Sequence, residues 1–363
     1  MHPAPLRSST LATFLAVCVA AISAAHAQTA PPPKPVPVVA PRGDIWSAGD
    51  GFRFNDKAKK TRRSASGMAC APDARGTTVC LIAFDEGVAL QFAQLDGRKL
   101  VPGHTPLLVG REGDELDAEG AATDGRYFYV TGSHAVKRSN CQANPASQHV
   151  LRIARDARTG LASSPGDLSD AGSLRPLIEA LPPFRENAGR QPCLGEGGID
   201  IEGLAVRQGR LFFALRGPTG GDGTAFIVSA DADALFDRSA GRQAQPQVHR
   251  VAVGSGRGIR DMVAVADGIL LLAGPDDSPS HADVPWQVLL WRAPSSTPTG
   301  ASPEASPVAL AVLDLGGVKL RGCDKEIKPE AMAVLAESPK AYRVLVLSDG
   351  LCDGGPLAFD LAR

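Results

Sequence analysis

One short frame recurs five times along the chain and limits what it can fold into. An acidic residue or serine comes first, then a small residue or methionine, then any residue, then alanine. A turn and a continuous apolar strand follow. The clearest copy is Glu202-Gly203-Leu204-Ala205, preceded by Gly198-Ile199-Asp200-Ile201 and followed by Arg210-Leu211-Phe212-Phe213-Ala214-Leu215-Arg216-Gly217-Pro218. The other copies start at Ser66, Glu119, Asp261 and Glu330. Their strands are Thr78 to Phe84, Tyr127 to Val130, Ile269 to Ala273 and Tyr342 to Leu347. Apolar runs of this length, bounded by Gly and Asp, suit strands buried on both faces. Intervals of 53 to 83 residues between starts fit four-stranded blades with variable loops better than βαβ units. The 39 glycines and 29 prolines supply the turns such a fold needs. Helical periodicity is nearly absent; Leu174 to Leu181, capped by Ser173, is the exception.

The expected fold is therefore all-β: a β-propeller with five recognisable four-stranded blades. The 83-residue interval has room for a sixth. Outer strands are expected at Ala89 to Phe92, Val150 to Ile153, Ala225 to Val228 and Val288 to Trp291. The fifth copy leaves too little chain for four strands. Leu357 to Leu361 adds one, and a strand from residues 43–60 would close the ring, because an open ring leaves a bare edge.

The N-terminus reads as a leader. Arg7 precedes an apolar run, Leu11 to Ile22, shorter than the roughly 20 residues of a membrane span. Ala25-His26-Ala27 fits a small-x-small cleavage site. The expected organisation is a signal peptide over 1–27, a proline-rich extended and mobile spacer over 28–42, and one propeller domain over 43–363. The mature protein is expected in the periplasm or outside the cell. Six cysteines remain after Cys18, an even number with no C-x-x-C spacing, which favours disulfides. The simplest pairing joins neighbours: Cys70 with Cys80, Cys141 with Cys193, Cys323 with Cys352. A net charge of −1 and 5% aromatics argue against nucleic-acid binding, and no other stretch is apolar enough for membrane insertion. A small-molecule ligand is the expected partner.

In a propeller, the residues that open each inner strand and close the next converge on one channel mouth. This brings Asp117, Glu119, Asp200, Glu202, Asp261 and Glu330 together, with Glu86, His134, Arg216, Arg260, Lys328 and Asp349. Asp117 with Glu119, and Asp200 with Glu202, are spaced two apart, so each pair projects from one strand face. Three readings of this rim stand open. Its charges can pair between blades and lock the ring. Asp117, Glu119, Asp200 and Glu202 can hold a hard cation such as calcium. Or Arg216, Arg260, Asp261, Lys328 and Glu330 can bind a small polar or anionic ligand, with Glu202, Asp200 and His134 as acid–base groups. Other signatures fail. Val253 precedes Gly254-Ser255-Gly256, which breaks the nucleophile elbow, and Leu235 breaks the calcium-loop frame at Asp231-Ala232-Asp233.

The stretches Ile199 to Val206, Leu215-Arg216-Gly217-Pro218 and Gly258-Ile259-Arg260-Asp261-Met262 resemble a bacterial family known as domain of unknown function 3616. Ser66-Gly67, Asp117-x-Glu119-Gly120 and Thr131-Gly132-Ser133-His134 extend the resemblance over roughly residues 60–355. That family is similar to propellers grouped as phytase-like or esterase-like. The resemblance implies a propeller and, by analogy, metal-assisted hydrolysis of an ester or phosphoester with calcium. Two features depart from it: Met262 and Ala331 stand where the pattern has glycine, and arginines interrupt the acidic rim. The alternative function is a non-catalytic periplasmic binding or scaffold protein.

Overall fold

Five antiparallel sheets stand in a ring, each opening with one copy of the repeated frame. The computed structural model describes residues 1, 35–54, 59–103, 105–111, 113–163, 168–237, 243–293 and 306–363. The chain divides after Pro35, and the ring belongs to the unit Val36–Arg363. The expected leader, apart from Met1, residues 28–34 of the spacer, and residues 294–305, within a stretch rich in Ser, Pro, Thr and Ala that reads as a low-complexity surface loop, lie outside the described residues.

A short N-terminal strand, β1 (Val38–Val39), precedes the blades. The first blade holds β2 (Ala65–Pro72), β3 (Thr78–Phe84), β4 (Ala89–Asp96) and β5 (Lys99–Pro102), with β6 (Leu107–Leu108) pairing against the start of β4. The second holds β7 (Ala118–Thr123), β8 (Tyr127–Gly132), β9 (Val150–Ala154) and β10 (Leu168–Asp170). The third holds β11 (Asp200–Arg207), β12 (Arg210–Gly217), β13 (Thr224–Asp231) and β14 (Gln247–Ala252). The fourth holds β15 (Arg257–Val265), β16 (Gly268–Pro275), β17 (Gln287–Trp291) and β18 (Val308–Leu313). The fifth holds β19 (Lys328–Glu337), β20 (Ala341–Asp349) and β21 (Leu357–Ala362). All four expected outer strands are present. The long interval between β7 and β11 carries no sixth blade. It holds β8 to β10, a short helix α1 (Arg175–Glu179), and a 3-10 turn, Pro182–Asn187. The Ser173 hydroxyl accepts the Arg175 N–H at 3.2 Å.

Core side chains fill the spaces between blades, which is why the strands read as continuous apolar runs. Phe128 and Val130 meet Leu81 and Ala83 between the first two blades. Phe213 and Phe226 pack with Tyr129 and Ile178 between the second and third. Phe212 and Trp291 lie between the third and fourth, and Leu270 and Phe359 between the fourth and fifth. Ile82 and Phe84 pack with Leu345 and Leu347 between the fifth and first, so the ring is closed. Each such side chain contributes about 1.5–3 kcal/mol by leaving water.

Closure differs from the expectation in one respect. No ladder strand forms within the described part of 43–60. Instead, a strap that begins inside the expected spacer follows the outer edge of the ring. β1 pairs in parallel with β18. The Arg42 N–H then donates to Ala358 on β21 at 2.7 Å and the Trp46 N–H to Pro356 just before it at 2.9 Å, and Ser47 bridges to Lys99. Pro35, Pro37 and Pro41 interrupt the row of donors, so this segment pairs at an edge but cannot complete a full strand. The three disulfides join nearest neighbours, as expected.

Each inner strand carries a bulge at one equivalent place. Register skips between Ala65 and Gly67, Ala118 and Gly120, Ile201 and Gly203, Ile259 and Asp261, and Pro329 and Ala331. The residues left over are Ser66, Glu119, Glu202, Arg260 and Glu330. A bulge re-aims a side chain, and here it does so five times around one axis.

Candidate functional site at the channel mouth

The five bulge residues meet in the channel and form a chain in ring order. Glu119 accepts from the Ser66 hydroxyl at 2.5 Å, and that hydroxyl lies 3.3 Å from Glu330. Glu330 pairs with Arg260. The Arg260 Nε lies 2.8 Å from Glu202 Oε2, and Arg216 Nη1 reaches Glu202 Oε1 at 3.0 Å. All five bulge residues are buried. One join of the ring, between Glu202 of the third blade and Glu119 of the second, has no direct bond among the described contacts.

The sequence frame slips by one residue in the fourth blade. Arg260, not Asp261, stands in register with Glu202. Asp261 occupies the place of Gly203 and Ala331 and is fully buried. Its carboxylate accepts the Met332 N–H of the next blade at 2.5 Å. This place is tight: a Cβ on Gly120 would lie 2.7 Å from Leu204 Cβ, so the inner strands approach most closely where the frame has glycine. Asp261 is thus an inter-blade tie rather than a ligand-binding group at the mouth.

Above the ring, the ends of the inner strand pairs make a second tier. Asp85 faces Ser64, and Asp117 accepts from the Ser133 hydroxyl. Lys328 reaches Asp349 at 3.3 Å. Asp200 lies 3.5 Å from Arg138, which also reaches Asp277 at 3.3 Å; Asp277 in turn pairs with Arg216 Nε at 3.2 Å. The two tiers line a cavity of about 550 Å³. Eight acidic residues (Asp85, Glu115, Asp117, Glu119, Asp200, Glu202, Glu330 and Asp349) face five basic ones (Lys137, Arg138, Arg216, Arg260 and Lys328).

Excess acid and burial set the proton affinities. Burial pushes Glu119 well above its ordinary value, and Glu202, Asp117, Asp85 and Glu330 add to it. Burial raises Asp117 to about 6 and Glu330 to about 7, the latter despite Arg260. Asp85 and Asp200 are likewise pushed up, first by burial and then by neighbouring carboxylates. Glu202 is the exception. Burial alone would raise it, but Arg260 and Arg216 hold it below its ordinary value. The ring therefore contains a carboxyl that burial pushes up, Glu119, and one that two guanidinium groups hold down, Glu202. That contrast is what general acid–base chemistry needs.

The structure brings Asp117, Glu119, Asp200, Glu202, Arg216, Arg260, Lys328 and Glu330 to the cavity. It leaves out Asp261, for the reason above, and His134. His134 is fully buried, with Nδ1 on the Gly132 carbonyl and Nε2 accepting the Leu174 N–H, both at 3.0 Å. Burial lowers its pKa to about 4, so it is a neutral structural tie with no ring nitrogen left for a substrate. Glu86 pairs outward with Lys60 at 2.5 Å. Asp85, Glu115, Arg138 and Asp277 were not read from the sequence. Asp85 was within reach, because it matches Asp349 in the strand frame. Arg138 and Asp277 arrive on loops and carry no local signal.

The donor set does not fit calcium, whose sites take six to eight oxygens. Glu202 is taken up by two guanidinium groups, Glu330 by one, and Glu119 by a hydroxyl. Among the described residues, no three His, Cys, Asp or Glu side chains are grouped to hold a metal ion.

A family model described as "Protein of unknown function (DUF3616)" matches residues 75–159 and 192–353. The chain belongs to the DUF3616 family. Most of the site lies inside the matched segments; Glu202, Arg216, Arg260 and Glu330 fall in the second. No curated protein matches this family member. Among solved structures it is similar to a GH43 β-1,3-galactosidase, at 13% identity and TM-score 0.47, over 89% of this chain and 60% of the other. It is also similar to an exo-β-1,3-galactanase from Phanerochaete chrysosporium, at 10% identity and TM-score 0.44, over 88% and 63%. A GH43 endo-arabinanase from Bacillus licheniformis matches at 10% identity and TM-score 0.40, over 83% and 94%. The chain thus spans under two thirds of the length of the first two. These are likenesses of overall fold.

Proposed function

We propose that this is an exported enzyme that binds a small polar, hydroxyl-bearing ligand in the channel mouth and cleaves it hydrolytically by acid–base catalysis. Glu119 supplies the proton and Glu202 takes one up. The observation that carries this reading is the unequal setting of two carboxyls on equivalent bulges of neighbouring blades: Glu119, bonded by the Ser66 hydroxyl and pushed up by burial, and Glu202, held down by Arg216 and Arg260. The ligand is not an anion, because Arg216 and Arg260 are already committed to Glu202, Glu330 and Asp277. The acidic excess at the mouth would repel one. Export to the periplasm or beyond is supported by the three disulfides, which belong to oxidising compartments. Among the described residues, no helix is long and apolar enough to cross a membrane.

The test is turnover of chromogenic esters, phosphoesters and glycosides by the wild type and by Glu119→Gln. A neutral carboxyl resembles a carboxamide in size and charge, so this variant should stay folded. Turnover of a neutral substrate that falls by roughly 100-fold or more in Glu119→Gln supports the proposal. No turnover by the wild type, or turnover that Glu119→Gln leaves intact, refutes it.

A second reading has its own observation. The bulge residues bond to one another nearly all the way round the channel, as groups that only hold blades together would. On this reading the protein is a binding or scaffold propeller. Glu119→Gln would then alter stability with no activity to lose.

A further inference from the structure

The mouth is not the end of the concave surface. A second cavity of about 850 Å³ lies beside it, and the two share Glu115, Lys137 and Asn144 in their walls. They therefore form one groove that runs from the channel axis out between the first and second blades. One wall is the end of β6 and the residues after it, 108–111 and 113–115. The other is the loop between β8 and β9, which the Cys141–Cys193 disulfide ties down. Leu151 on β9 and Leu168 on β10 also line it. At its outer part His149 Nδ1 bonds Asp170 at 2.7 Å, which fixes the ring and leaves Nε2 as its other polar atom.

We infer that the ligand is an elongated chain of hydroxyl-bearing units, with one end in the mouth and the remainder along this groove. The inference rests on the mouth reading under Proposed function and extends it to the substrate class. The mouth alone already has the volume of a small-ligand site, so a compact ligand would leave the larger cavity without a role. The polar side chains of the groove include acceptors (Asp114, Glu115, Asp170), donors (Lys137, Arg111) and Asn144, which does both. A hydroxyl both donates and accepts, and a mixed lining of this kind serves it at every unit. Carboxylates in both cavities oppose a polyphosphate chain such as a nucleic acid. No Phe, Tyr or Trp ring lines either cavity among the described residues, so recognition runs through hydrogen bonds rather than base stacking. A peptide would draw chiefly on backbone bonds from a strand edge, whereas the polar groups of this groove are side chains.

The experiment is calorimetric titration of the full folded protein with maltohexaose, cellohexaose and xylohexaose, each beside its monosaccharide, and with hexaalanine. Ala143→Trp, which puts a bulky ring at an exposed position in the groove wall, and His149→Ala are titrated alongside, with thermal melting to verify folding. The expected result is that at least one hexasaccharide binds tenfold or more tightly than its monosaccharide, and that Ala143→Trp removes that gain. Equal affinity for monomer and hexamer overturns the elongated ligand and leaves the mouth reading standing. Tighter binding of hexaalanine than of any hexasaccharide overturns the substrate class. Absence of binding by every sugar, short or long, overturns the elongated hydroxyl-bearing ligand, and the mouth reading then stands or falls by the turnover assay on esters. A hexamer gain that survives in both folded variants overturns the placement of the chain in this groove.

Discussion

Arg260→Met tests the central ring most directly. The guanidinium is 4% exposed and holds two buried carboxylates, Glu202 at 2.8 Å and Glu330. Removing it leaves Glu330 without a cationic partner of its own, while Glu202 keeps Arg216 at 3.0 Å. Breaking a buried pair from one side costs about 3–5 kcal/mol. Because Glu202 retains a partner, the lower end applies, roughly 3 kcal/mol at pH 8. The cost should depend on pH in a defined way. Glu330 already titrates at about 7, so at pH 5.5 it is protonated with or without Arg260. The lost pairing then falls mainly on Glu202, and the cost should shrink by about 1 kcal/mol or more, since one unit of pKa is worth about 1.4 kcal/mol. The assay is urea unfolding of wild type and variant at both pH values, with Glu330→Gln added to the variant to complete a double-mutant cycle. Adding Glu330→Gln to Arg260→Met should restore part of the stability at pH 8. A cost below about 1 kcal/mol at pH 8, far under that of a broken buried pair, or the same cost at both pH values, would refute the ring as a set of coupled buried charges.

Two further outcomes follow from the same electrostatics. Wild-type stability should fall as pH rises from 5 to 8. Asp117 and Glu330 keep protons in the folded state to about 6 and 7 that the unfolded chain has already released, so the unfolded state binds fewer protons in that window. Urea midpoints that rise or stay flat across this range would contradict it. Calcium should leave the melting temperature unchanged, and so should EDTA, because the mouth acids are engaged by arginines and hydroxyls. A calcium-dependent rise in melting temperature would show a cation site that this geometry does not contain.

Much of the fold was legible in the residues because it is written locally. Apolar runs bounded by Gly and Asp mark strands buried on both faces, and their recurrence marks blades. The disulfide pairing was legible too, since each cysteine lay nearest its partner along the chain. The strap was not. Val38-Val39 lies among prolines and reads as a spacer, and only the exposed edge of β18 gives it a partner. At the site, the frame aligned Asp261 with Glu202 because both are acidic and stand three residues before an alanine. A bulge has no signature in composition, so nothing in the sequence showed that the extra residue in the fourth blade is Arg260. His134 looked like a mouth residue from its place after β8. Its left-handed backbone, with φ 56°, turns it into the core beside Leu174.

The sequence by itself determined an all-β ring and a band of charge at the mouth, because strand periodicity and turn chemistry act over a few residues. The tertiary structure alone decided which charges face one another. Arg260 lies between Glu202 and Glu330 only after three blades have closed around one axis. The proton affinities that follow, with Glu119 raised and Glu202 lowered, depend on burial and on neighbours that lie as far as 211 residues away in the chain, as Glu330 does from Glu119.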